Sequence, residues 1–153
     1  MKAEYLTVLD KLVAKYEQRR AALLPVLHYV QEQEGLITPA LEEDVARYIG
    51  IPVVQVHQVV CFYHLFHQER KGKCHFSVCE TTACALLGAE DIIGHIKSRL
   101  GIEQGETTPD GKFSFSVVEC LGACEIAPMM QLNKEYKGLL NKKMVDELID
   151  LYK

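Results

Sequence analysis

Two cysteine pairs, Cys79-Glu-Thr-Thr-Ala-Cys84 and Cys120-Leu-Gly-Ala-Cys124, each follow directly on a short strand-like run, and this constrains the fold more than any other feature. The first run is His75 to Val78. Before the second pair, Phe113, Phe115 and Val117 alternate with Lys112, Ser114 and Ser116, the period of a half-buried strand. If the two strands are neighbours in one sheet, both cysteine loops leave it at the same end, and four thiols converge although the pairs are far apart in sequence. Between the pairs, Ala85 to Leu100 reads as a helix, with Ala89, Ile93, Ile96 and Leu100 on one face. Thr108-Pro109-Asp110-Gly111 is a turn. Met129 to Leu132 is a further strand, Tyr136 to Leu140 a short additional one, and Asn141 caps a last helix in which Met144, Val145, Leu148, Ile149 and Tyr152 share a face. Strand, helix, strands and helix imply a small α/β layer sandwich.

Ahead of Lys71-Gly72-Lys73 the texture is different. Leu6, Leu9, Val13 and Tyr16 recur at helical spacing. From about Ala22, a second helix carries Leu23, Val26, Leu27 and Val30 and stops at Gly35. Thr38-Pro39 caps a third helix with Leu41, Val45 and Ile49 on one face. Pro52 opens a fourth, running through Val56, Val59, Val60 and Tyr63 towards Phe66. The expected class is therefore α/β (α+β): a helical bundle over residues 1–71, followed by the cysteine-bearing domain over residues 72–153.

A chain of 153 residues with 48% apolar and 25% charged residues can build its own core without disulfide staples. Its net charge of −4 offers no basic field for nucleic acid or anionic lipid. No window approaches an unbroken apolar run of membrane-spanning length, so no direct membrane insertion is expected. The segment MKAEYLTVLDKLVAKYEQRR has neither the apolar core nor the cleavage site of a secretory signal, so a cytoplasmic location is expected, with membrane association through a larger complex as the alternative. Thiols stay reduced there, and six cysteines call for metal or redox chemistry rather than disulfides.

Three chemistries compete for the pairs. Structural zinc and thioredoxin-type redox pairs both favour Cys-x2-Cys spacing, tighter than the gaps found here. A two-iron cluster is broader than a single ion, so each looser loop can hold one iron while sulfides bridge the two. The bound anion needs backbone N–H donors. Gly122 would let its loop approach closely, and Ala83, Ala85 and Ala123 are too small to block the sulfurs. A helix starting near Cys84 would direct its positive end at the site.

The stretches VCETTACALLGAEDIIGHIKSRLGI, GETTPDGKFSFSVVECLGACEIAPMMQLN and LPVLHYVQEQEGLITPALEEDVARYIGIP closely resemble the E-type subunit family of NADH dehydrogenase (complex I), from about Ala22 to the last helix. This is the thioredoxin-like [2Fe-2S] ferredoxin subunit, which recurs in NAD-linked hydrogenases, formate dehydrogenases and electron-bifurcating complexes. The resemblance implies that Cys79 and Cys84 ligate one iron of a single [2Fe-2S] cluster, and Cys120 and Cys124 the other. It also implies a flavin subunit as partner, carrying FMN and the NAD(P)H site, with further iron–sulfur subunits beyond. Cys61, in VCFYHLF, departs from the family, which usually has a small or hydroxyl residue there.

The chain contains no phosphate-binding glycine loop, so nucleotide binding is expected on another chain. A hydride carries two electrons and a [2Fe-2S] cluster accepts one, so a flavin has to lie between them. The expected role is thus an electron-transfer subunit with no catalytic residue of its own. A free thioredoxin-like ferredoxin and a structural zinc module are the alternatives. Cys61 and Cys74 read as buried packing cysteines. His64 and His67 read as solvated or capping, and His28, His57, His75 and His95 acquire no role. Glu119 and Glu125 either bias the centre by their charge or are solvated loop carboxylates. Met129 and Met130 read as strand core.

Overall fold

The computed structural model describes residues 2–153, which divide into two compact units meeting in sequence at Arg70 and Lys71. The first contains four helices, α1 (Ala3–Val13), α2 (Leu23–Glu34), α3 (Pro39–Ile49) and α4 (Val53–Phe62), with a 3-10 turn over Arg19–Ala22 ahead of α2. Their ends follow the sequence signals. Thr38 Oγ1 accepts the Leu41 N–H at 3.3 Å with Pro39 at the first helical position, a cap contributing about 1 kcal/mol. The apolar stripes meet in one core, to which α2 contributes Leu23, Val26, Leu27 and Val30. Gln31 ties the chain beyond α4 back onto α2: its Nε2 donates to the Leu65 carbonyl at 2.8 Å and its Oε1 accepts from the His67 N–H at 2.6 Å. This brings Phe66 into the core although α4 has already ended.

On α1 the buried face differs from the expected one. Tyr5, Leu9 and Val13 are buried, whereas Leu6 and Tyr16 are exposed. The helix ends at Val13, before Tyr16, and the Tyr5-Leu9-Val13 row keeps a strict four-residue spacing. Tyr5 can occupy the core because its hydroxyl donates to Glu34 Oε1 at 2.7 Å.

The second unit contains β1 (Cys74–Cys79), α5 (Thr82–Leu86), α6 (Ala89–Leu100), β2 (Phe113–Val118), β3 (Met130–Leu132), β4 (Glu135–Lys137) and α7 (Lys142–Leu151). The sheet order is β2-β1-β3-β4, with β1 parallel to β2 and antiparallel to β3, and β4 antiparallel to β3. Register places Phe76 beside Phe115 and Leu132, and Val78 beside Val117 and Met130, so two apolar rows cross one sheet face. Ile92 and Ile96 of α6 and Val145 and Ile149 of α7 join these rows in one core. Burying a side chain such as Phe76 or Phe115 stabilises the unit by about 1.5–3 kcal/mol. Asn141 Oδ1 accepts the Met144 N–H at 3.0 Å and starts α7 as expected.

Two local expectations are corrected. The helix expected over Ala85 to Leu100 is two helices, broken at Leu87-Gly88, and the break leaves Leu86 and Leu87 exposed. The alternation of β2 also fails: Ser114 is fully buried, because its hydroxyl accepts the Gly72 N–H at 2.8 Å and lies 2.8 Å from His75 Nδ1. Hydrogen-bonding capacity, invisible to a hydrophobic period, accounts for that burial.

Candidate metal centre

Parallel pairing of β1 and β2 sets Cys79 opposite Val118 at the same end of the sheet. Cys79 is the last residue of β1, and Cys120 follows β2 by two residues. Both cysteine loops therefore leave one sheet end together. The Glu80 N–H donates to the Val118 carbonyl and the Cys79 N–H to the Met129 carbonyl, both at 3.2 Å, which fixes the first loop between β2 and the entry to β3. Cys84 lies inside α5, and Cys124 begins a 3-10 turn that ends at Ile126. A cis peptide bond joins Ala127 to Pro128, just ahead of β3.

Cys79, Cys84, Ala123, Ala127, Met129 and Ala89 pack as a small cluster separate from the main core. Cys79 and Cys84 are buried within it, while Cys120 and Cys124 are exposed. The four thiols form one electrostatic group. Burial opposes the Cys79 thiolate, but hydrogen bonds from the Thr81 side chain and backbone, the Leu121 backbone and Cys84 outweigh it and hold this thiol below its ordinary value. Burial pushes Cys84 up, and Cys79 and Cys124 add to the effect. Cys124 is raised first by its hydrogen bond to Cys120, with Cys79 and Glu125 adding repulsion. These mutual effects link one pair to the other.

The donor set suits a thiolate-ligated cluster. Thr81 Oγ1 lies 3.2 Å from Cys79 Sγ, and the Gly122 N–H donates to Cys120 Sγ at 3.4 Å. Such donors stabilise sulfur-bound negative charge. Cys79 is hydrogen-bonded to Cys84 and Cys124 to Cys120, so the thiols fall into two pairs, a division that would suit a two-iron centre.

Gly122 has a φ of 76°, a hand of backbone that favours glycine, and a Cβ there would meet no protein atom within 4 Å. The helix expected to begin near Cys84 begins at Thr82 and has five residues, too short for a strong terminal dipole. Glu119 and Glu125 are exposed. Met129 and Met130 are buried, the first against the cysteines and the second in β3. Cys74 is buried as expected, and burial raises its thiol. Cys61 is not: it is exposed on α4. Among the described residues, His64 and His67 join no possible metal-binding group.

Residues 9–153 match the family model described as thioredoxin-like [2Fe-2S] ferredoxin. The chain is 40% identical over 145 residues to an E-type chain of NADH-quinone oxidoreductase from Rhizobium meliloti, covering 95% of this chain and 86% of that protein. It is 45% identical over 129 residues to NADH-quinone oxidoreductase subunit 2 of Thermus thermophilus, covering 83% of this chain and 71% of that one. The crystal structure of an NAD+-reducing [NiFe]-hydrogenase in its air-oxidised state shares the fold at a TM-score of 0.71 and 20% identity, over 84% of this chain. This chain spans only 22% of the matched hydrogenase chain. With the family model covering nearly its whole length, the chain belongs to the thioredoxin-like [2Fe-2S] ferredoxin family.

Proposed function

We propose that Cys79, Cys84, Cys120 and Cys124 hold a single [2Fe-2S] cluster, and that the chain is the one-electron-transfer subunit beside the flavin subunit of an NAD(P)H-linked oxidoreductase complex. The observation that carries this reading is the parallel β1–β2 pairing, which sends both cysteine loops out of one end of the sheet. When bound, the cluster supplies reversible one-electron chemistry. This chain's own residues hold the thiolates apart as two pairs, donate hydrogen bonds to sulfur from Gly122 and the Thr81 side chain, and shield Cys79 and Cys84 from solvent. Packing by Ala123, Ala127 and Met129 reduces the competition of water for the Thr81–Cys79 hydrogen bond, whereas the Gly122–Cys120 bond stays open to solvent.

Hydride oxidation needs a two-electron acceptor, which a [2Fe-2S] centre is not, so FMN and the NAD(P)H site belong to a partner chain. Relatives named as NADH-quinone oxidoreductase subunits support that assignment. Further iron–sulfur subunits would continue the electron path. Leu86 and Leu87 just beyond Cys84, and Leu139, whose N–H donates to the Ile126 carbonyl at 2.7 Å, stand exposed. They offer apolar surface beside the cysteines to such a partner. Among the described residues no helix is long and apolar enough to cross a membrane.

Iron, acid-labile sulfide and zinc are to be measured on anaerobically purified protein, with visible and EPR spectra before and after reduction. Two irons, two sulfides and an EPR signal on one-electron reduction are expected per chain. One zinc and no sulfide would overturn the reading.

A further inference from the structure

The helical unit carries a second constellation of reactive side chains, in which no residue is one of the four cysteines above. Glu42 on α3 has a side chain only 6% exposed, yet it is a carboxylate. Its Oε2 lies 2.9 Å, and its Oε1 3.2 Å, from Nδ1 of His57 on α4. The other ring nitrogen, Nε2, lies 3.4 Å from Sγ of Cys61, one helical turn further along α4. Gln68 Nε2 donates to the same sulfur at 3.4 Å. Exposure increases along the row, from the buried carboxylate to the half-exposed imidazole to the exposed thiol.

This order has chemical consequences. An ionised carboxylate only accepts hydrogen bonds, so Nδ1 carries the proton it shares with Glu42. The neutral ring then has its lone pair on Nε2, facing the thiol. Proton transfer from Cys61 to Nε2 gives a thiolate beside an imidazolium, with Glu42 stabilising the cation and the Gln68 amide stabilising the anion. A nucleophile, its base and a group that orients the base thus stand in line, and the nucleophile is at the surface.

We propose that Cys61 is a hydroperoxide-reactive thiol, with His57 as its proton acceptor and Glu42 positioning His57. The thiolate attacks the near oxygen of hydrogen peroxide. An S–O bond forms, the O–O bond breaks, and the departing hydroxide takes the proton from the imidazolium and leaves as water. Sulfur is oxidised by two electrons to a sulfenic acid, and the peroxide is reduced by two. His57 serves first as base and then as acid, and returns to its starting state. The sulfenic acid condenses with a small thiol to a mixed disulfide and water.

The test uses the chain of 153 residues, treated with hydrogen peroxide in the presence of dimedone, with labelling of the Cys61 peptide followed over time by mass spectrometry. A synthetic peptide of residues 53–66, which has the thiol without the fold, is the reference. Cys61 in the folded chain is expected to be labelled on the order of a hundredfold faster than in the peptide, the lower reach of positioned acid–base assistance. His57→Gln and Glu42→Gln are each expected to return the rate to that of the peptide. Glu42 is buried, so circular dichroism checks its variant for folding. If Glu42→Gln does not fold, His57→Gln decides alone, because its side chain is 53% exposed. Labelling of the native chain at the peptide's rate, or no slowing in His57→Gln, would overturn the proposal. Because the readout is specific to Cys61, the result does not depend on whether the four-cysteine site is loaded.

Discussion

Gly138 passes so close to Ile126 that an added Cβ would lie 2.4 Å from the isoleucine Cβ and 2.6 Å from its Cγ1. Ile126 packs against the small cluster containing Cys79 and Cys84, so the clash would be felt at the candidate centre. Gly138→Ala is expected to destabilise the chain by about 1–3 kcal/mol, as overpacking does. A urea unfolding midpoint equal to that of the native chain would show that the turn repacks freely. Gly122→Ala is a different case: it introduces no clash but strains a left-handed backbone by about 1–2 kcal/mol. Its effect should fall on the loop that presents Cys120 and Cys124, lowering iron loading more than global stability. For the cysteines, single replacement of Cys79, Cys84, Cys120 or Cys124 by Ala is expected to abolish or severely reduce cluster assembly. Cys74→Ser and Cys61→Ser should leave the visible spectrum intact. An unchanged spectrum in Cys84→Ala would mean that the ligands have been wrongly paired.

Among the elements, α6 and α7 are joined by a polar clamp as well as by their apolar faces. Asp146 Oδ1 lies 2.9 Å from His95 Nε2 and 2.5 Å from Arg99 Nε. The hydrogen bond from His95 first, and Arg99 after it, hold the Asp146 carboxyl below its ordinary 3.8. Folding lowers this pKa, so the clamp's contribution is complete above the ordinary value and is lost as pH falls through the folded-state value. Asp146→Asn should therefore lower the melting temperature at pH 6, with the gap from the native chain closing towards pH 3. Thermal melts of both proteins at the two pH values check this, and a gap of equal size at both would rule the clamp out. The clamp's solvent exposure and salt screening keep its size modest.

At the scale of the whole molecule, the two compact units have separate cores, and all four candidate ligands lie in the second. We propose divided work: residues from Lys71 onwards would hold the metal and offer Leu86, Leu87 and Leu139 to the partner, while the helices would add the contacts that make docking stable. A chain beginning at Lys71 keeps the Gly72 N–H bond to Ser114 Oγ and the Lys73 N–H bond to the Gly111 carbonyl, so its sheet edge stays intact. It is expected to take up a cluster reducible by dithionite, while losing stable association with the flavin subunit and hence reduction by NADH. EPR after mixing with that subunit is the measurement. Full co-purification with normal reduction by NADH would place docking in the metal-binding unit.

Hydrophobic period and punctuation were enough to read most elements from the sequence, because the signals are local. Thr38-Pro39, Gly35 and Asn141 act within one turn of where they stand, and the helices start and stop there. The two cysteine pairs were equally legible, since each closes a strand-like run. Where the burial of Ser114 and Tyr5 went unread, the cause was a partner distant in sequence. Ser114 is buried because Gly72 and His75 meet it across the sheet, and Tyr5 because Glu34 receives its hydroxyl. Leu86 and Leu87 are exposed because the helix breaks beside them. The meeting of Glu42, His57 and Cys61 left only a faint trace, a His and a Cys four residues apart. Its carboxylate comes from another helix, and only packing of α3 against α4 brings it there. Local chemistry thus determined which segments are helix or strand and where along them the two cysteine pairs stand. Parallel β1–β2 pairing and helix packing, which depend on the burial of residues far apart in the chain, decided which reactive groups meet.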